Sequence, residues 1–125
     1  MKYLAIAAAS LLVGCTVHQQ DDNLNAQIAT FRETRQTYNE GLLHCRYLVE
    51  KKYHEQLFGA GNLEGPARDA AVKASSSEYR TCSEHYTAKM ETLWHSQPPA
   101  VKAYYEQRRA EMSKKYIAAI AESKR

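Results

Sequence analysis

From Leu24 onward the apolar residues recur at alternating steps of four and three: Leu24, Ile28, Phe31, Tyr38, Leu42, Cys45 and Val49, with Arg35 in the single polar slot of the series. That spacing places one stripe along a long helix. Asn23 offers an N-cap, with Asp21 and Asp22 beside it where the positive end of the helix dipole favours acids. The pattern stops at Gly59-Ala60-Gly61-Asn62-Leu63-Glu64-Gly65-Pro66, a turn whose proline suits the start of a second helix over about residues 66–96. There Val72, Tyr79, Cys82, Tyr86 and Leu93 share a stripe, Ser75 fills a gap and Met90 lies close by. Pro98-Pro99 ends it, because neither residue donates a backbone hydrogen bond and each pushes its predecessor out of helix. A third helix runs from about Ala100 to Glu122, with Val101, Tyr105, Met112, Tyr116 and Ile120 expected inward and Lys102, Glu106, Arg109, Glu111 and Lys115 outward. Three amphipathic helices on short turns predict an all-α, antiparallel three-helix bundle. Gly41 stands inside the first helix, where it costs about 1 kcal/mol relative to alanine and suggests a bend.

The residues before this pattern have a different character. Lys2 is followed by an apolar core, Leu4-Ala5-Ile6-Ala7-Ala8-Ala9, and then by Leu11-Leu12-Val13-Gly14 directly before Cys15. This is the charged, apolar, small order of an export signal. The run is interrupted by Thr16, His18, Gln19, Gln20 and Asp21, well short of the roughly 20 apolar residues that a bilayer-spanning helix requires. Leu12-Val13-Gly14-Cys15 resembles the lipobox of bacterial lipoproteins. The resemblance implies that residues 1–14 are a removed signal peptide, that Cys15 carries lipid, palmitate among its acyl chains, and that residues 15–22 are a tether to a helical domain over 23–125. Two or more acyl chains hold a protein stably at a membrane it does not span. Thr16 stands where an aspartate would resemble the inner-membrane retention signal, so the expected location is the periplasmic leaflet of the outer membrane.

Removing fourteen residues from 125 leaves 111, the size of one domain. The chain has 17 lysines and arginines against 14 acids, a net charge of +3. That mild excess makes no case for nucleic acid, and export argues against it further. With Cys15 committed to lipid, Cys45 and Cys82 are the two cysteines left in an oxidising compartment, and a disulfide is the one intramolecular pairing open to them. The alternative is two separate buried thiols. Cys45 lies 14 residues before Gly59 and Cys82 lies 16 after Pro66, so the two are nearly level on antiparallel helices and both fall on apolar stripes. The expected fold is therefore a disulfide-stapled hairpin within the bundle. The same register sets Tyr79 near Val49, Tyr86 near Leu42, and Leu93 with Trp94 near Phe31 and Arg35.

His44 adjoins Cys45, and His85 lies one turn beyond Cys82 with Glu84 beside it, so two imidazoles and a carboxylate are metal-ligand candidates. The helix period turns His44 about 100° from Cys45, and no His-x-x-x-His or Cys-x-x-Cys pair supports them. No metal and no cofactor are expected. Ser75-Ser76-Ser77 has no Gly-x-Ser-x-Gly setting and no base nearby in sequence, and two cysteines on core stripes suit structure better than catalysis. No catalytic residue is assigned, and the chain is not expected to be an enzyme.

Nine tyrosines are many for this length, and Tyr104-Tyr105 cannot both face a core. Trp94, Tyr104, Arg108 and Arg109 are therefore candidate partner contacts, the arginines belonging to the one basic helix of the chain. Anionic head groups and peptidoglycan carboxylates are candidate contacts for that helix. The final residue is Arg125, whereas the major lipoprotein bonded to peptidoglycan ends in lysine, so that linkage is not expected. The overall expectation is a membrane-anchored, non-catalytic binding or envelope-assembly module, of exclusion or inhibitor type, with an envelope protein as partner. Two alternatives are a structural spacer between outer membrane and cell wall, and a metal-binding or enzymatic domain using His44 and His85.

Overall fold

The computed structural model describes the backbone from Leu4 and the side chains from Asp21 to Arg125. The expected signal at 1–14 and the lipid attachment at Cys15 fall where side chains lie outside the described ones, and the fold bears on neither. Three helices make up the fold: α1 (Leu4–Phe58), α2 (Gly65–His95) and α3 (Pro99–Ser123). No strand occurs among the described residues. The boundaries of α2 and α3 match the sequence expectation within a residue or two. Asn23 does not cap α1, because Asp21, Asp22 and Asn23 all lie within its helical turns.

The chain divides into two compact units, Arg32–Ser96 and Met1–Phe31 with Gln97–Arg125. The first is an antiparallel hairpin of α1 and α2. Its core is Val49, Tyr53, Leu57, Ala71 and Cys82, with Leu42, Cys45, Leu63, Ala74 and Tyr79 packed against it. The α1 stripe thus continues past Val49 through Tyr53 and Leu57 at steps of four, which is one helix face. On α2 the expected stripe holds at Cys82 but shifts near the turn, where Ala71 is buried and Val72 is exposed. Alanine lets two helices approach closely, so the smaller neighbour takes the inner position.

Cys45 and Cys82 are joined, with their Cα atoms 5.9 Å apart, inside the range a disulfide bridges without backbone movement. The level placement of the two cysteines is therefore realised.

The turn satisfies the last carbonyls of α1 in three ways. Gly59 N–H donates to Glu55 O at 3.0 Å, Leu63 N–H to Gln56 O at 2.9 Å, and the Arg68 guanidinium to Leu57 O at 2.7 Å. A helix end leaves these acceptors without intrahelical donors, and a cation there also meets the negative end of the dipole. Gly65 opens α2 with φ of +59°, a left-handed conformation that favours glycine, and Pro66 follows in the first turn.

In the second unit, Ile28, Phe31 and Val101 are buried, and the Phe31 and Tyr105 rings pack with centroids 5.1 Å apart. Val101 and Tyr105 face inward as expected. Met112, Tyr116 and Ile120 do not: every residue from Glu106 to Arg125 is exposed. The reason lies in the spacing. The turn after Tyr105 should supply the next core residue and supplies Arg108 and Arg109, whose guanidinium groups are costly to bury without partners. Six residues then lie between Tyr105 and Met112.

Candidate functional site

The hairpin carries its polar chemistry across the α1/α2 seam near the turn. Tyr53 Oη donates to Glu78 Oε1 at 2.9 Å, and Lys52 Nζ reaches the same oxygen at 2.6 Å. The Lys52 hydrogen bond, followed by that of Tyr53, holds the Glu78 carboxyl below its ordinary range, and the same contacts raise the Lys52 ammonium. Next to Glu78 in the sequence, Tyr79 Oη donates to Glu50 Oε1, and that hydrogen bond raises the Tyr79 phenol. Farther along, Arg46 Nη2 donates to Ser83 Oγ at 2.9 Å. These contacts lock the register of the two helices on both sides of the apolar core.

Beside this ladder lies a cleft of about 450 Å³, lined by Glu50, Tyr53, His54, Leu57, Phe58, Ser75 and Tyr79. A shallower depression lined by Tyr47, Glu50, Lys51, His54 and Glu55 adjoins it on α1, sharing Glu50 and His54. The His54 ring leans on Phe58 at 5.7 Å, and the Arg68 guanidinium lies 5.9 Å from the Phe58 ring centroid. Exposed apolar residues extend the same helix: Leu43 is 64%, Tyr47 56% and Phe58 69% accessible. The result is an aromatic edge with a carboxylate and an imidazole set into it. Such a surface suits an apolar or aromatic side chain of a partner carrying a hydrogen-bond donor.

Ser75 and His54 line one cleft, a proximity that the sequence reading did not foresee. Among the described residues no hydrogen bond joins them, and Glu50 is engaged by Tyr79 rather than orienting the imidazole. The nucleophile, base and orienting group of acyl-transfer catalysis are therefore not assembled.

The structure places the sequence-selected residues as follows. His44 and His85 are exposed and engaged with different neighbours, His44 stacking beside Tyr47 at 6.5 Å and His85 meeting Tyr86 edge-on at 5.0 Å. Among the described residues no group of three or more His, Cys, Asp or Glu side chains could hold a metal ion. Tyr104 and Arg108 come together on one turn of α3, with Arg108 Nη1 donating to Tyr104 Oη at 3.2 Å and the guanidinium 5.7 Å from the ring centroid. Arg109 is exposed beside them, and Trp94 is half-buried in the hairpin unit.

Sequence reasoning missed Tyr47, His54 and Phe58. Their signal was a second, weaker α1 stripe through Leu43, Tyr47, His54 and Phe58, hidden because His54 is polar and Phe58 adjoins the glycines. No protein-family model, curated protein or solved structure matches this chain.

Proposed function

We propose that the protein is a lipid-anchored bacterial envelope lipoprotein that works by binding another envelope protein and performs no catalysis. The anchor reading rests on Leu12-Val13-Gly14-Cys15 and on the apolar run before it, and it places the mature chain on the periplasmic leaflet of the outer membrane. The binding reading is carried by one observation: Leu43, Tyr47 and Phe58 stand exposed along α1 beside the Glu50, His54 and Tyr79 cleft. Isolated exposed apolar residues are ordinary, but an aromatic row bordering a concave polar site is what interface centres are made of. The disulfide suits this role, because a rigid hairpin presents the row with little ordering cost on association.

Two experiments test the two halves. Mass spectrometry of the chain isolated from cell membranes should find residue 15 as the N-terminus, bearing diacylglycerol and acyl mass, and an unmodified chain beginning at Met1 overturns the anchor. Photo-crosslinking from position 51 or 55, on the exposed rim of the same edge, should capture an envelope protein in intact cells, and the capture should vanish with Phe58→Ser and persist with His44→Ala and His85→Ala combined. Capture that survives Phe58→Ser and Tyr47→Ser together rejects this edge as the binding surface.

A further inference from the structure

Beyond Tyr105, α3 carries an apolar face that no described residue covers. Met112, Tyr116 and Ile120 follow one another at steps of four and are 48%, 64% and 54% exposed. At about 100° per residue, Met112, Tyr116, Ala119 and Ile120 share one sector of the helix. Lys115 borders that sector on one side and Lys124 on the other, with Arg108 and Arg109 at its N-terminal end. Glu111 and Glu122 are turned away from its centre by more than about 100°. From Arg108 to Arg125 there are six basic residues and two acidic ones, a local charge of +4.

We infer that this half of α3 docks on an anionic bilayer surface, laying Met112, Tyr116 and Ile120 at the head-group boundary with Lys115 and Lys124 against lipid phosphates. Basic residues on both flanks of an apolar stripe, in a segment of local charge +4, match a surface that is apolar below and negative above. A second copy of the helix matches it poorly, because two such faces would bring together two segments each carrying a local charge of +4. The inference extends the lipid-anchor reading. Phe31, which packs on Tyr105, lies sixteen residues after Cys15, so an anchor there tethers α3 to the membrane and makes a weak contact effectively intramolecular.

The test uses the full chain with Cys15→Ser, which carries no lipid and so separates docking from anchoring. Deuterium uptake is followed with and without vesicles of phosphatidylethanolamine and phosphatidylglycerol, and with vesicles of phosphatidylcholine alone. Residues 106–125 should exchange rapidly in solution and slow on the anionic vesicles only. Tyr116→Ser with Ile120→Ser should abolish the slowing, and Lys115→Gln with Lys124→Gln should weaken vesicle affinity about thirtyfold. These side chains are exposed, so circular dichroism of the variants should match the parent. Unchanged uptake over 106–125 while the apolar N-terminus binds vesicles overturns the inference, as does equal slowing on phosphatidylcholine. Slowing without vesicles that grows with protein concentration assigns the face to a second copy instead. Docking by the Cys15→Ser chain alongside an unlipidated Cys15 in cells would reject the anchor and leave the docking standing.

Discussion

Tyr86 fills the space that a side chain at position 41 would need. A Cβ built on Gly41 would lie 2.5 Å from Tyr86 Oη and 2.6 Å from its ring. The glycine in the middle of α1 thus serves helix packing: it admits a tyrosine ring of α2 against the α1 backbone. The same ring takes the Lys89 ammonium at 5.5 Å, and Lys89 also lies 5.4 Å from the Tyr38 ring centroid.

Gly41→Ala should therefore destabilise the protein by about 1 kcal/mol in urea unfolding, despite the better helix propensity of alanine. In a Tyr86→Ala background the same change should stabilise by about 1 kcal/mol, because only the propensity remains. Equal effects in the two backgrounds would dissociate Gly41 from Tyr86.

Replacing Cys45 and Cys82 together by serine should lower stability by about 4 kcal/mol, the loop-closure value for a bridge across about 37 residues. The check is the urea midpoint of the double variant against the oxidised parent, with reduction of the parent giving a similar loss.

Arg68→Ala removes the donor that satisfies Leu57 O at the end of α1 and should cost about 1.5 kcal/mol. Arg68→Lys should recover part of that loss, since an ammonium still meets the helix terminus. A neutral Arg68→Ala in thermal unfolding would mean that water replaces the guanidinium without penalty.

Stability should be flat between about pH 5 and pH 9 and fall outside that window. Glu78 has a lowered folded-state pKa, so its contribution is present above the ordinary value of 4.5 and is lost as pH drops through the folded value. Tyr79 has a raised one, so its contribution is present below the ordinary 10.0 and is lost as pH climbs through the folded value. Lys52 acts in the same direction as Tyr79. Urea midpoints across pH should show a shallower acid limb in Glu78→Gln and a shallower alkaline limb in Tyr79→Phe.

The helices, their ends other than the start of α1, and the disulfide were legible in the sequence because each has a local signature: a period near 3.6, a glycine and proline cluster, and cysteines nearly equidistant from one turn. The facing residues were legible to within a turn, since Tyr79 bonds Glu50 beside the expected Val49 and Tyr86 meets Gly41 beside the expected Leu42. What failed was the assumption that every apolar stripe is covered. Met112, Tyr116 and Ile120 fit the period, but two arginines interrupt the stripe, and periodicity does not reveal whether a partner surface exists for it. The cleft was illegible for another reason: His54 and Ser75 are 21 residues apart on different helices, and only the hairpin register brings them to one groove.

The hairpin core is unevenly placed about the Cys45–Cys82 bond. Val49, Tyr53, Leu57 and Ala71 all lie on the turn side of it, whereas toward Arg32 and Ser96 no described residue of the hairpin is fully buried. Opening should begin where least apolar surface is lost, at the end remote from the turn, and run inward. The bond then acts as a stop on a zipper: separation of α1 from α2 halts there, and the segment beyond it keeps its slow amides until the whole core yields.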